Sequence, residues 1–97
     1  MANLPHILRP LSAHRADLES LNVASLSVFG SVARGDEGAT SDVDILVRFS
    51  EPVGMFEFLD VKAYLENLLG VSVDLVTEDA LKPQLRERIL AEAVCAA

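Results

Sequence analysis

Positive charge is scarce in this 97-residue chain: eight Lys and Arg stand against fifteen Asp and Glu, for a net charge of −7 at neutral pH. Neutralising a run of phosphates takes clustered cations, and these eight are scattered, which argues against a long nucleic acid as a direct ligand. A small anionic ligand stays open if a metal ion accompanies it. Cysteine is nearly absent as well. Cys95, being alone, forms no internal disulfide, which suits a reducing compartment. No apolar run approaches the length of about 20 residues that spans a bilayer. Met1 to Arg15 is interrupted by Pro5, His6, Arg9, Pro10 and His14 before the apolar core of a secretory signal could form. The expectation is a cytoplasmic protein with no membrane partner. Internal repeats and low-complexity segments are also missing.

What is present suits one domain spanning residues 1–97, a size that buries roughly 60 to 65% of the surface its unfolded chain exposes. That leaves no room for a separate substrate-binding domain. The apolar share is 51% before the five Gly are added, somewhat above the usual level. Some apolar surface is therefore left for a partner, in a homodimer or a hetero-oligomer.

Hydrophobic spacing sets out the elements. Leu11, Arg15, Leu18 and Leu21 mark one face of a first helix from about Arg9 to Leu21, with Asn22 as its stop. A strand over Val23 to Phe29 ends at Gly30-Ser31. The segment after it is rich in Gly, Asp, Thr and Ser, which favours turns, with one helical turn around Val32 to Arg34. A second strand begins at about Asp42. Its alternation puts Val43, Ile45 and Val47 on one face and Asp42 and Asp44 on the other. Met55, Phe58, Val61, Leu65 and Leu68 define a helix from Met55 to Leu69, and Gly70 stands where a C-cap would be. A third strand, Val71 to Val76, carries one carboxylate, Asp74, facing away from Val73 and Leu75. Thr77, as a cap, and Pro83 precede a last helix striped by Leu81, Leu85, Ile89 and Ala93.

These elements bring three carboxylates together. A strand–helix–strand crossover makes the second and third strands parallel neighbours that start at the same sheet edge. Asp42, Asp44 and Asp74 then share one face near that edge. The short link from the first strand favours an antiparallel pairing that returns Gly30 and Ser31 to the same place. Three clustered carboxylates repel unless cations join them, and Mg²⁺ is commonly held by carboxylates together with substrate phosphates. A pair of such ions can activate an attacking oxygen and stabilise a leaving phosphate. Gly30 lets the backbone approach a phosphate, Ser31 can donate to it, and Arg34 is the nearest fixed positive charge. A nucleoside triphosphate at about −4 beside three aspartates totals about −7, and two divalent ions bring that to about −3, so nucleotide binding should require metal.

Gly30-Ser31, ten intervening residues, Asp42-Val43-Asp44 and then Asp74 in an apolar strand resemble the minimal nucleotidyltransferase pattern of the DNA polymerase β superfamily. Within it the chain is most similar to the small MNT antitoxins that pair with HEPN toxins, over nearly its whole length, including LKPQLRERILAEAV at the end. The resemblance implies an α/β (α+β) fold, a small mixed sheet flanked by helices. It also implies two Mg²⁺ ions and attack of an acceptor hydroxyl on the α-phosphate of ATP with loss of pyrophosphate. By position, Asp42 and Asp44 would bind both metals. Asp74 would complete the catalytic metal's shell and help deprotonate the acceptor, while Gly30 and Ser31 would hold the β and γ phosphates. Arg34 matches an arginine frequent in the family's loop, with a surface ion pair as its plainer reading. In such pairs the acceptor is a tyrosine of the HEPN RNase toxin, which adenylylation silences.

Two other functions stay open beside that one: an antitoxin that neutralises by contact alone, and a nucleotidyltransferase acting on a small molecule. Asp42 and Asp44 can also be read as a solvated strand start, and Gly30 and Ser31 as a strand end and a cap. His6 and His14 read as solvated helix flanks and Cys95 as inert. Arg86, Glu87 and Arg88 read as a solvated helix face. Tyr64, the only tyrosine, reads as a packing residue that could also accept its own chain's AMP.

Overall fold

The computed structural model describes residues 4–34 and 43–96, the side chains of Ser31 and Val32 excepted. Among the described residues, five α-helices and four strands follow one another: α1 (Leu4–Ala13), α2 (Arg15–Ser20), β1 (Val23–Phe29), α3 (Gly30–Arg34), β2 (Val43–Phe49), α4 (Met55–Leu69), β3 (Val73–Thr77), α5 (Pro83–Glu92) and β4 (Val94–Cys95). A 3-10 turn at Glu78–Ala80 joins β3 to the approach of α5. The sheet has the order β3-β2-β1-β4. It is mixed, because β2 runs parallel to β3 while β1 is antiparallel to both β2 and β4.

Strand parity decides which face is covered. Val28 lies opposite Ile45 and Leu26 opposite Val47, and Val43 and Ile45 lie beside Val73 and Leu75. All of these are buried, and they join Ile7, Leu11, Leu18, Val61 and Leu65 from α1, α2 and α4 in one core. A fully buried Leu or Val of this kind contributes about 2 kcal/mol through surface removed from water. The opposite parity holds Phe29, Asp44, Leu46 and Asp74. Alternation within each strand therefore sorts the sheet into a helix-covered face and a face that carries the carboxylates.

The expected elements recur with instructive differences. β1 and α4 occupy the ranges read from the sequence. Gly70 caps α4 in the left-handed conformation (φ 69°, ψ 20°), its N–H donating to the Glu66 carbonyl. Nothing lies within 4 Å of the position a Cβ would take there, so its constraint is the backbone angle alone. Asn22, the expected stop of the first helix, also has a positive φ of 67°, which asparagine tolerates better than most residues. The first helix is two. α1 already begins at Leu4, because Pro5 falls in the first turn, where its missing N–H is no loss. The break comes at His14, whose φ of −107° and ψ of 25° leave the helical region, and whose Nδ1 lies 2.9 Å from the Pro10 carbonyl.

At β3 the strand starts two residues later than expected. The N–H of Val73 donates to Glu66 Oε2 at 3.0 Å, and Ser72 gives its carbonyl to the N–H of Val43. The α5 stripe is only half used: Ile89 and Ala93 are half-buried and Leu85 is exposed. β4 was not expected, being two residues long, yet it pairs with Ser27 and Val28 of β1. Among the described residues no helix is long and apolar enough to cross a membrane.

Two substitutions test this account of the fold. Leu65→Ala empties a fully buried site and should cost about 3 kcal/mol in chemical denaturation. Gly70→Ala places a Cβ on a left-handed residue in open space and should cost about 1 kcal/mol, lowering the thermal midpoint by about 5 °C in a chain of this size.

Candidate active site

Asp44 and Asp74 are direct register partners on the parallel strands β2 and β3. Neighbouring strands lie about 4.8 Å apart, so the two carboxylates leave the same sheet face side by side. Asp44 is half-buried and Asp74 exposed, which keeps both accessible to a ligand. On the other side, Asp44 is the partner of Phe29, the last residue of β1. The chain then turns directly into α3 at Gly30. The three strands thus deliver Gly30, Asp44 and Asp74 to one row at one edge.

Gly30 is fitted to this corner in two ways. Its φ of +74° is a conformation that L side chains rarely adopt. A Cβ there would also collide with the Asp44 carboxylate, overlapping Oδ2 and standing 3.0 Å from Cγ. Any other residue would push Asp44 out of position or unwind the turn. Glycine therefore allows the backbone of α3 to lie against the Asp44 carboxylate.

Arg34 closes α3, and its Nη1 lies 3.3 Å from Oε1 and 3.4 Å from Oε2 of Glu92, at the end of α5. The same Oε1 accepts from the N–H of Gly30 at 3.0 Å. Glu92 is the site-adjacent residue that sequence reasoning missed. One signal was available: a carboxylate in the last turn of a helix faces the negative end of the helix dipole and needs a partner. Which partner could not be read, since Gly30 and Arg34 lie 62 and 58 residues away.

Asp42 lies outside the described residues, as does the side chain of Ser31. Among the described residues no group of three or more His, Cys, Asp or Glu is placed to hold a metal ion. The described contribution is the pair Asp44 and Asp74, with Asp42 two positions before Asp44. Two hard oxygen donors on a rigid sheet edge, beside a backbone stripped of its side chain, form a donor set that suits a divalent cation with a phosphate.

Other features lie away from this row. A cavity of about 710 Å³ opens at the far end of β2 and β3, lined by Phe49, Val53, Met55, Phe58 and Thr77 among others. It contains none of Gly30, Asp44, Asp74 and Arg34. Tyr64 packs against the core under the sheet and donates to Asp17 Oδ2 at 3.1 Å. Desolvation and then the Asp17 carboxylate raise its phenol above the ordinary value. It lies on α4, on the helix-covered side of the sheet, as the packing residue the sequence suggests. Arg86, expected on a solvated face, reaches Glu78, which also binds Arg48 at 2.8 Å.

Comparison with known proteins agrees with this geometry. The nucleotidyltransferase domain family matches residues 11–95. The protein adenylyltransferase MntA of Thermococcus cleftensis is 42% identical over 95 residues, which cover 97% of this chain and 96% of the relative. A solved structure described as a minimal nucleotidyltransferase superposes with a TM-score of 0.81 at 39% identity, covering 96% of this chain and 95% of that one. A Shewanella oneidensis structure, a tri-AMPylated HEPN toxin in complex with its MNT antitoxin, matches with a TM-score of 0.65 at 16% identity, covering 93% of this chain and 71% of that one, a likeness of fold. With its sheet order, its Gly30 corner and its aspartate row, this chain belongs to the nucleotidyltransferase domain family, among the minimal nucleotidyltransferases.

Proposed function

We propose that this nucleotidyltransferase transfers AMP from ATP to a tyrosine hydroxyl of a HEPN RNase toxin and so acts as its antitoxin. The observation that carries the reading is the register pairing of Asp44 with Asp74 beside Gly30. Two carboxylates side by side next to a bare backbone suit a metal-bound triphosphate. The 42% identical relative is named for protein adenylylation, and the Shewanella complex holds an AMPylated toxin. Both favour a protein as acceptor over a small molecule.

In the reaction, the acceptor oxygen attacks the α-phosphorus and the bond to the β-phosphate oxygen breaks. Pyrophosphate leaves and the hydroxyl proton is released, giving AMP-protein. Asp42, Asp44 and Asp74 would hold two Mg²⁺ ions, which supply charge neutralisation and activation of the attacking oxygen when bound. Asp74, the more exposed of the two described carboxylates, would complete the shell of the catalytic metal and help take the proton of the incoming hydroxyl. Gly30, and Ser31 next to it in sequence, would hold the β and γ phosphates. Arg34, held by Glu92, would contact phosphate in this reading.

One observation favours neutralisation by contact alone: Met55, Phe56 and Leu59 on α4 are 69%, 83% and 48% exposed, an apolar surface that a partner could cover. The two readings separate cleanly. With ATP, Mg²⁺ and the cognate toxin, intact-mass spectrometry should detect added AMP. Asp42→Ala and Asp44→Ala should each lower transfer by about a hundredfold or more, the scale of losing a transition-state charge stabiliser. Chelation of the metal should stop transfer, and added Mg²⁺ should restore it. Transfer that persists in both variants would sink the assigned roles, and full toxin neutralisation by both would favour contact alone.

A further inference from the structure

Glu92 belongs to no part of the chemistry described above, yet it touches the nucleotide corner at two points. Its Oε1 accepts from the Gly30 N–H at 3.0 Å, and its carboxylate pairs with Arg34 at 3.3 Å. These two residues are the first and last of α3, a helix of five residues. A helix so short has too few internal bonds to hold itself, and glycine has little backbone preference of its own. Both ends of α3 are thus tied to a single carboxylate on α5.

The anchor itself is fixed. Glu92 is the last residue of α5, and β4 starts two residues later. β4 pairs with Ser27 and Val28, the strand residues that lead into Gly30. The N–H of Ala96 adds a bond to the Leu26 carbonyl at 2.8 Å, and Ala96 is buried. A closed ring results: β1 to Gly30, Gly30 to Glu92, Glu92 through β4 back to β1. The Glu92 side chain is only 24% exposed, so its bond to the Gly30 N–H is partly shielded from competing water.

We propose that Glu92 is a positioning residue for nucleotide binding: it sets the Gly30 peptide and Arg34 so that the corner is formed before ATP arrives. The inference rests on the reading that the Gly30 corner takes the nucleotide phosphates. It adds that the C-terminal α5–β4 segment, far from the motif in sequence, controls nucleotide affinity.

The test is titration of a non-hydrolysable ATP analogue into the whole protein with Mg²⁺, alongside thermal melting. Glu92→Ala should weaken binding about tenfold, the scale of a lost charge-assisted hydrogen bond, at temperatures where circular dichroism reports a folded protein. Glu92→Gln keeps an acceptor for the Gly30 N–H and should weaken binding only about threefold. A merely structural role would lower the melting temperature and the fraction of competent protein but leave the dissociation constant unchanged, which would overturn the proposal. Tighter binding by Glu92→Ala would also overturn it, because Glu92 would then be an anion competing with phosphate. Should Glu92→Ala not fold, the Gln variant decides: weaker binding supports the proposal, and unchanged binding overturns it. Asp44→Asn separates the two levels. If that variant keeps Mg²⁺-dependent binding, the site reading fails and the inference with it; if it loses binding while the Glu92 variants do not, only the inference fails.

Discussion

The parallel register that sets Asp44 beside Asp74 is the constraint on which the rest of this protein depends. Two carboxylates about one strand spacing apart repel each other, so the pairing persists only if the sheet beneath it is held by other means. The means are on the far face. Val43 and Ile45 flank Asp44 in sequence, Val73 and Leu75 flank Asp74, and all four are buried in the core with α1, α2 and α4. Alternation converts one apolar decision into two results: the same four residues that bury the strands also turn both aspartates outward together. A slip of one residue in either strand would bury a carboxylate and expose a valine or a leucine, which costs far more than the repulsion.

From this row the other features follow. The antiparallel return of β1 brings Phe29 against Asp44, so the next residue must turn away beside a carboxylate. Only glycine fits, on both backbone angle and space. α3 then needs support that its own five residues cannot give, and Glu92 provides it from the end of the chain. The order β3-β2-β1-β4 thus reads as a chain of dependencies from the Asp74–Asp44 pair to the Gly30 corner to the Glu92 anchor. The row stands on the sheet face opposite α1, α2 and α4.

Legibility in the sequence followed the strength of local signals. β1 and α4 were readable at their boundaries because periodicity and the punctuation of Gly30 and Gly70 agreed. The parity of Asp44 and Asp74 was readable because both are flanked by valine, leucine or isoleucine. The start of α1 was hidden by Pro5 and Pro10, which look like breakers from sequence but are accommodated in the helix here. β4 carries too few residues to show any alternation, and Glu92 finds Gly30 and Arg34 only through tertiary structure. Such contacts leave no periodic trace, so the support of the corner was invisible while the alternation that turns Asp44 and Asp74 to one face was not.

The most direct test of this account is diffraction from crystals grown with Mn²⁺ and a non-hydrolysable ATP analogue, using the anomalous signal of the metal. The proposed site requires manganese coordinated by Asp42, Asp44 and Asp74, with the triphosphate tail lying against Gly30 and Ser31. Nucleotide bound elsewhere, as in the cavity beside Met55 and Phe58, with no metal at the aspartate row, would contradict it.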